Sequence, residues 1–293
     1  GTPPFTQVLP ALADAWAGRR DGVLTVGKDV LAHLRSGVDP IGGALGPEQL
    51  DAAVASLASQ YDAEAGGFGN SPKFPPSMVL EFLLRNAART GSQQALDLVA
   101  GTCEAMARGG MYDQLSGGFA RYSVDRFWRV PHFEKMLYDN ALLLRVYLHW
   151  WRQTGSPLAE RIARETGRFI LDELGTTEGG FASALDADSD GHEGTFYVWN
   201  PNQFMRTLGP ADGAWATALL GVTGGGTFER GFSTLQLRED PDDEARWHDV
   251  RAKLLEARAV RTRPARDDKV VASWNGLAIT ALAGNASRAP AKT

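Results

Sequence analysis

The chain has 293 residues, a hydrophobic fraction of 43%, a charged fraction of 22% and a net charge of −5. These values are ordinary for a globular protein with a large core, and they give little support to nucleic-acid binding. The one cysteine, Cys103, excludes an intramolecular disulfide, a CxxC redox pair and a cysteine zinc site.

Apolar residues recur at spacings of three and four over residues 5–36 and predict helix there. Residues 36–46 are rich in Gly and Pro and are predicted to form a linker. Residues 109–130 form a long loop with many aromatic side chains, and loops of that length are usually functional. Apolar periodicity predicts further helices over the following segments: 47–61, 77–90, 93–108, 131–151, 157–174, 201–208, 211–220, 244–260 and 275–283.

A Gly-Gly-Phe triplet occurs three times, at residues 66–68, 117–119 and 179–181. The gaps of 51 and 62 residues fit two helices and their turns. The triplets therefore predict loops that punctuate helical hairpins and together build one shared cleft. Beside the third triplet, residues 181–183 and 195–199 are predicted to be short strands flanking an acidic turn.

Four longer strings resemble a known family. They are GGFGNSPKFPPSMVLEFLLR at 66–85, GGMYDQLSGGFARYSVDRFWRVPHFEKMLYDNALL at 109–143, FASALDADSDGHEGTFYVW at 181–199 and RDDKVVASWNGLAI at 266–279. Together they are similar to the thioredoxin-domain-containing proteins that include a mammalian spermatogenesis-associated protein and the YyaL-like bacterial members. The resemblance runs through nearly the whole chain.

The resemblance implies a mainly α fold, an incomplete (α/α) toroid of the six-hairpin glycosidase or N-acylglucosamine 2-epimerase type with short β-hairpin insertions. Residues 1–46 would be the C-terminal remnant of a thioredoxin-like domain with its linker, and residues 47–293 a partial toroid. A half-toroid exposes the apolar flanks of its helices, so self-association or binding of a protein partner through that surface is expected.

The first group of candidate site residues surrounds the helix predicted to start at Pro131. There His132, Lys135 and Asp139 would share one helical face, and a histidine with carboxylates can perform acid–base chemistry on a sugar. The alternative is structural, because acids in a first helical turn suit the helix dipole. The catalytic candidates are His132, Glu134 and Asp139. The substrate-binding candidates beside them are Arg121, Tyr122 and Tyr138, the last expected one helical turn from Glu134.

A second group is the acidic string that begins at Asp186, whose DxDxDG start resembles a calcium-binding loop. The match fails at the twelfth position, where a glutamate is needed and Tyr197 stands. We expect no metal and no cofactor. The string is either an exposed acidic turn or a polar loop that lines a sugar cleft through Asp186, Asp188 and Glu193.

The remaining substrate-binding candidates are spread along the chain. Trp274, Asn275 and Asp268 are included because Trp stacks on sugar faces while Asn and Asp bond hydroxyl groups. Lys73 and Asp113, from the first two Gly-Gly-Phe loops, complete the set. A structural interpretation also stands, with Trp274 as a core anchor and Asp268 in a surface ion pair.

The sequence therefore predicts a carbohydrate-related enzyme or degenerate enzyme, epimerase-like or glycosidase-like, that acts on a small sugar at the loop end of a helical toroid. The alternatives are a non-catalytic binding module that works with a thioredoxin-like domain, or an inactive truncated fragment. No apolar run reaches the ~18 residues of a membrane helix, and no signal-type segment is present. We expect a cytoplasmic protein without nucleic-acid or membrane partners.

Overall fold

The computed structural model describes residues 3–36 and 46–286. The chain divides into two compact units, with the boundary after Pro47. Within the described residues there are ten α-helices and seven two-residue strands, so the predicted mainly helical fold with short β-hairpins is confirmed. None of the described helices combines the length and hydropathy that crossing a membrane requires. Residues 37–45, the centre of the predicted linker, lie outside the described residues.

The first unit contains the helices α1 (Phe5–Gly18) and α2 (Arg20–Ser36). The single helix predicted over residues 5–36 is interrupted at Arg19, whose backbone (φ −139°, ψ 38°) leaves the helical region. Both helices expose large apolar side chains to solvent, among them Phe5, Leu9, Leu12, Trp16, Val26, Val30 and Leu34.

From Pro47 onward the helices follow the predicted segments closely. They are α3 (Pro47–Ser59), α4 (Ser77–Thr90), α5 (Gln93–Arg108), α6 (Leu137–Thr154), α7 (Pro157–Glu173), α8 (Pro201–Leu219), α9 (Glu244–Ala259) and α10 (Ala272–Ala286). The strands are β1 (Tyr122–Ser123), β2 (Pro131–His132), β3 (Lys135–Met136), β4 (Ala184–Leu185), β5 (Asp188–Ser189), β6 (His192–Glu193) and β7 (Arg266–Asp267). Helices α4 and α5 have the predicted bounds, and α8 breaks at Gly209, between the two helices predicted there.

Two helical hairpins turn on the same three-residue sequence, Thr-Gly-Ser, at residues 90–92 and 154–156. In each, the Thr hydroxyl donates to the carbonyl four residues earlier (2.8 Å). The glycine takes a left-handed conformation (φ 72° and 69°) that ends the first helix. The Ser hydroxyl then accepts from the backbone amide three residues on (3.3 Å) and caps the next helix. These local bonds fix the hairpins α4–α5 and α6–α7.

Helix α6 lies at the centre of the second unit, between α4 and α10. Tyr138 packs against Trp274 at the start of α6 and α10, and Arg152 Nη2 donates to the Gly284 carbonyl (2.7 Å) near their ends, so the two helices run parallel. Helices α4 and α6 are parallel as well, because Glu81 contacts His149 and, about one turn further along both helices, the Leu84 carbonyl accepts from Gln153. Parallel helices side by side, with hairpin partners α5 and α7, are the arrangement that an (α/α) toroid repeats.

The first two Gly-Gly-Phe loops share one set of contacts. Asp62 accepts from the buried Lys73 (2.9 Å), and Asp113 accepts from the buried Lys135 (3.0 Å). Each lysine also donates to the carbonyl of the first glycine of its triplet (2.9 and 3.0 Å). We call the two sets the first and second lysine clasps. An arginine completes each clasp, Arg126 in the first and Arg258 in the second.

The start of α6 differs from the prediction. The helix begins at Leu137 rather than at Pro131, because the intervening segment forms β2 and β3, which pair with β1 and β4. The expected helical face shared by His132, Lys135 and Asp139 is therefore wrong. Backbone groups that the helix would have used are bonded across these short sheets instead.

The strands predicted around the acidic turn are also misplaced. The strands of this region are β4, β5 and β6 rather than residues 181–183 and 195–199. Residues Asp190 and Gly191 form the two-residue loop of the β5–β6 hairpin, with φ of 55° and 75°. Positive φ at both positions is the hairpin geometry that an Asp-Gly pair favours.

Candidate active site

The extended segment from β2 to β3 sets which side chains are accessible. Successive side chains of an extended chain point to opposite sides, so Phe133 and Lys135 are buried while His132 and Glu134 are not. The side chains of His132 and Glu134 keep 29% and 25% of their surface exposed. The expected helical i, i+4 relation of Glu134 and Tyr138 is wrong, since Glu134 precedes α6.

The imidazole of His132 lies between two carboxylates. Its Nδ1 is 2.7 Å from Glu193 Oε1, an oxygen that also accepts from the Phe133 amide (3.2 Å). Its Nε2 is 3.8 Å from Glu134 Oε2. A carboxylate on one ring nitrogen fixes the role of the other nitrogen. Glu193 belongs to β6, so it links the acidic string to His132.

Two neighbouring carboxyl groups, Glu134 and Asp139, have different surroundings. Arg121 Nη1 donates to Glu134 Oε2 (3.0 Å). Asp139 Oδ2 is buried without a hydrogen-bond partner among the described residues. Burial raises the pKa of Asp139 to about 7; Arg121 opposes this shift and Glu134 adds to it. Burial lowers the pKa of the Arg121 guanidinium, but Tyr138 and Glu134 outweigh burial and raise it. The acid–base cluster comprises Arg121, His132, Glu134, Asp139 and Glu193.

Aromatic rings border the acid–base cluster. Phe74 stacks on Tyr122 (ring centroids 4.7 Å apart), which stacks on His132 (5.0 Å). Tyr138 meets Trp274 edge to face (4.8 Å). Phe74 precedes α4, while Tyr138 and Trp274 stand in the first turns of α6 and α10. Asp139 itself lies in the first turn of α6, and a helix N-terminus favours negative charge.

Lys73 and Asp113, two predicted substrate-binding residues, belong to the lysine clasps. Lys73 is 1% exposed and bonds three oxygen atoms of the protein. Burial raises the pKa of Asp113, but Arg258 and Lys135 outweigh it and hold that pKa well below its usual range. These contacts give both residues a structural role in the loops.

Asn275, another predicted substrate-binding residue, bonds the backbone of Phe181. Its Oδ1 accepts from the Phe181 amide (2.8 Å), and its Nδ2 donates to the Phe181 carbonyl (3.1 Å). Asn140 makes the same two bonds with Phe119: its Oδ1 accepts from the Phe119 amide (2.7 Å), and its Nδ2 donates to the Phe119 carbonyl (3.0 Å). Each asparagine is the fourth residue of its helix and ties it to the preceding Gly-Gly-Phe loop.

Three predicted aspartates make local contacts at exposed positions. Asp186 Oδ1 accepts from the Asp188 amide (3.1 Å), a short Asx turn before β5. Asp188 pairs with Glu193 across the β5–β6 hairpin. Asp268 is 68% exposed and accepts from Arg266 Nε (2.6 Å). The structure thus brings together the predicted residues His132, Glu134, Asp139, Arg121, Tyr122, Tyr138, Trp274 and Glu193.

Sequence reasoning missed Arg258 as a member of the second clasp. Arg258 and Lys135 border a cleft of about 720 Å³, on the opposite side of the extended segment from Glu134. The sequence carries a signal for the aspartates but none for the arginine, since a Tyr-Asp pair precedes both triplets, at Tyr61 and at Tyr112. The tertiary contacts with the lysines are what give both aspartates one structural role.

The described residues contain neither a cluster of metal-ligand side chains nor an exposed thiol. In the part of the chain that the structure describes, no three His, Cys, Asp or Glu side chains are grouped to hold a metal ion. Cys103 is fully buried, and burial raises the pKa of its thiol. A buried, protonated thiol is a poor nucleophile.

No protein-family model matches the chain. Spermatogenesis-associated protein 20 of Homo sapiens is 31% identical over 329 aligned positions, and that of Mus musculus is 30% identical over 333. Both alignments cover 95% of this chain. The chain is a homologue of spermatogenesis-associated protein 20. It spans 41% of the length of these two relatives, and the thioredoxin-like assignment of residues 1–46 stays a prediction.

Several solved structures share parts of the helical architecture. A sugar epimerase from a ruminal bacterium has a TM-score of 0.41 and 17% identity, covering 52% of this chain and 43% of its own. An unsaturated glucuronyl hydrolase specific for heparin has a TM-score of 0.42 and 11% identity, covering 84% and 70%. Both TM-scores lie below 0.5, and no activity follows from likenesses at that level.

Proposed function

We propose that the acid–base cluster is a carbohydrate-related active site, epimerase-like or glycosidase-like. The observation that carries the proposal is the contrast between Glu134, paired with Arg121, and Asp139, whose pKa is raised to about 7 by burial. Neighbouring carboxyls in contrasting environments are how one site supplies both an acid and a base near neutral pH.

Each group has a role that its contacts suit. Asp139, whose pKa burial raises to about 7, would donate a proton to a sugar oxygen. His132 would take up or return a proton through Nε2, while Glu193 holds Nδ1. Arg121, which donates to Glu134 Oε2, would hold that carboxylate in a fixed orientation. The exposed Phe74 and the partly exposed Trp274 would offer faces on which a sugar ring packs, while Tyr122, stacked between Phe74 and His132, would hold the imidazole in place.

A second candidate function is a binding module for a protein partner. The exposed apolar side chains of α1 and α2, with Phe5 73% and Leu12 61% exposed, favour it. This alternative concerns the first unit and leaves the acid–base cluster unexplained, so we rank it below the first.

The proposal is tested by product analysis. The purified chain is incubated with a library of aldoses, ketoses and disaccharides, and products are resolved by isomer. We expect turnover of at least one sugar, with His132→Ala and Glu134→Gln slower by ~100-fold or more, the range of general acid–base catalysis.

The matched control is His248→Ala, because His248 is 86% exposed on α9 and away from the cluster. It should leave turnover unchanged. A folded chain that converts no sugar, or a His132→Ala variant as active as His248→Ala, contradicts the proposal.

A further inference from the structure

A cleft of about 320 Å³ lies between α4 and α6. None of the residues of the acid–base cluster lines it. Its walls combine apolar side chains with three charged ones, and they are formed by Ser77, Met78, Glu81, Phe82, Arg85, Leu142, Arg145 and Val146.

Three basic side chains converge on one carboxylate in this cleft. Glu81 accepts from Arg85 Nε (2.8 Å) and from Arg145 Nη2 (3.4 Å), and its second oxygen lies 2.8 Å from His149 Nδ1. Burial raises the pKa of Glu81, but the bonds with His149 and Arg85 outweigh burial and lower it. Glu81 is therefore ionised near neutral pH, and two guanidinium charges share one negative charge.

Much of the donor capacity of the two arginines is unused. Among the described residues, Arg85 bonds only Glu81, through Nε, which leaves both its Nη atoms without a partner. Within the same part of the chain, Arg145 makes one long bond to Glu81 and has Nε and Nη1 free. Their side chains are 66% and 32% exposed, so the free donors are accessible from solvent.

An ordinary surface pair does not account for this arrangement. Arg85 and Glu81 are spaced i, i+4 on α4, and such pairs contribute little on their own. Arg145 and His149 come from another helix and approach the same carboxylate, although the cleft floor around it is apolar. Positive charge in excess of its counter-charge attracts anions to a cleft, and guanidinium bonds to an anion are among the stronger hydrogen bonds.

We propose that this cleft binds an anionic group, a carboxylate or a phosphate, between Arg85 and Arg145. The planar guanidinium presents paired N–H donors that match the oxygens of either anion. The apolar part of the same ligand would pack against Phe82, Leu142 and the exposed Met78. The inference does not depend on whether the acid–base cluster is catalytic.

The test titrates inorganic phosphate and acetate separately into the full chain by isothermal calorimetry at constant ionic strength. We expect one of the two probes to bind one site with a roughly millimolar Kd, since both are small. Arg145→Gln and Arg85→Gln should each weaken that binding about tenfold or more, as expected for a lost charge-assisted bond.

The matched control is Arg89→Gln, which removes the same charge from α4 but outside the cleft, where Arg89 pairs with Asp51 (2.8 Å). It should weaken binding less than twofold. Phosphate binding alone supports a phosphate ligand, and acetate binding alone supports a carboxylate. No binding of either probe, or equal weakening by Arg89→Gln, overturns the proposal. Circular dichroism checks that each variant is folded. If Arg145→Gln unfolds, the binding of Arg85→Gln, a change at an exposed position, still tests the proposal.

Discussion

Replacing Asp139 with asparagine should stabilise the protein at alkaline pH and leave it unchanged at acid pH. Asp139 has a folded pKa of about 7, against an ordinary value of 3.8, because it is buried in the first turn of α6. Below about pH 3 the carboxyl is mostly protonated in both the folded and the unfolded chain, and near pH 4, where the unfolded carboxyl is about half ionised, most of its contribution to stability is still present. As pH rises to 7 only the unfolded chain ionises, so that contribution is lost.

The size follows from the difference of about three between the two pKa values. Each pKa unit corresponds to about 1.4 kcal/mol, so the free energy of unfolding falls by up to roughly 4 kcal/mol between pH 4 and pH 8. Partial exposure of Asp139 reduces this, so we expect about 2–4 kcal/mol. An asparagine amide cannot ionise, so Asp139→Asn should escape this loss.

Urea unfolding of both proteins at pH 4, 6 and 8 measures this difference. Their free energies of unfolding should agree to within about 0.6 kcal/mol at pH 4, and the variant should be more stable by about 2–4 kcal/mol at pH 8. Asp268→Asn, at a position 68% exposed, is the control and should show no such trend. An Asp139→Asn variant that is equally or less stable at pH 8 would show that the carboxylate is held ionised, and it would refute the reasoning.

Two further substitutions test the loop contacts, each read as a shift in thermal unfolding. Asp113→Asn leaves Lys135 and Arg258 buried without their carboxylate and should lower the free energy of unfolding by about 3–5 kcal/mol. A loss no larger than that of an Asp→Asn change at an exposed position would contradict the structural role of the second lysine clasp. Gly118→Ala should be far more damaging than Gly179→Ala, because both glycines have positive φ but only at Gly118 would the new Cβ meet a side chain, at 2.6 Å. Similar losses would show that backbone strain of roughly 1–2 kcal/mol decides both.

The elements that the sequence predicted well have local causes. Helices α4 and α5 are bounded by Thr90, Gly91 and Ser92, whose bonds reach no further than four residues. The break in α8 likewise follows from Gly209 and the proline after it. Such signals stand in the sequence itself, and the Thr-Gly-Ser repeat could have been found there too.

The start of α6 could not be found in the same way. Pro131 followed by an apolar pattern predicts a helix start, but β3 pairs with β4, about 50 residues later in the chain. The strand pairing overrides local preference because it satisfies backbone groups, and the cost of burying Lys135 is offset by its bond to Asp113. Nothing near Pro131 in the sequence indicates the partner.

The placement of the candidate residues follows the same logic. The sequence predicts one helical face for His132, Lys135 and Asp139, which they do not share. The folded chain nevertheless brings His132, Glu134 and Asp139 together with Glu193, which lies 61 residues from His132. The sequence predicts substrate binding for Asp113, whereas in the structure its carboxylate accepts from Arg258, 145 residues away. Residue type alone indicates that the residues of the acid–base cluster and Asp113 are candidates. Only the tertiary contacts distinguish a residue of the candidate site from a residue of a lysine clasp.

The most direct test of the central claim is an NMR titration that follows the five histidine side chains as a sugar from the library is added. If the sugar binds at the acid–base cluster, the imidazole resonances of His132 should shift saturably, and those of the exposed His248 should not move. A sugar that binds saturably while His132 stays unshifted would place the site elsewhere and contradict the account.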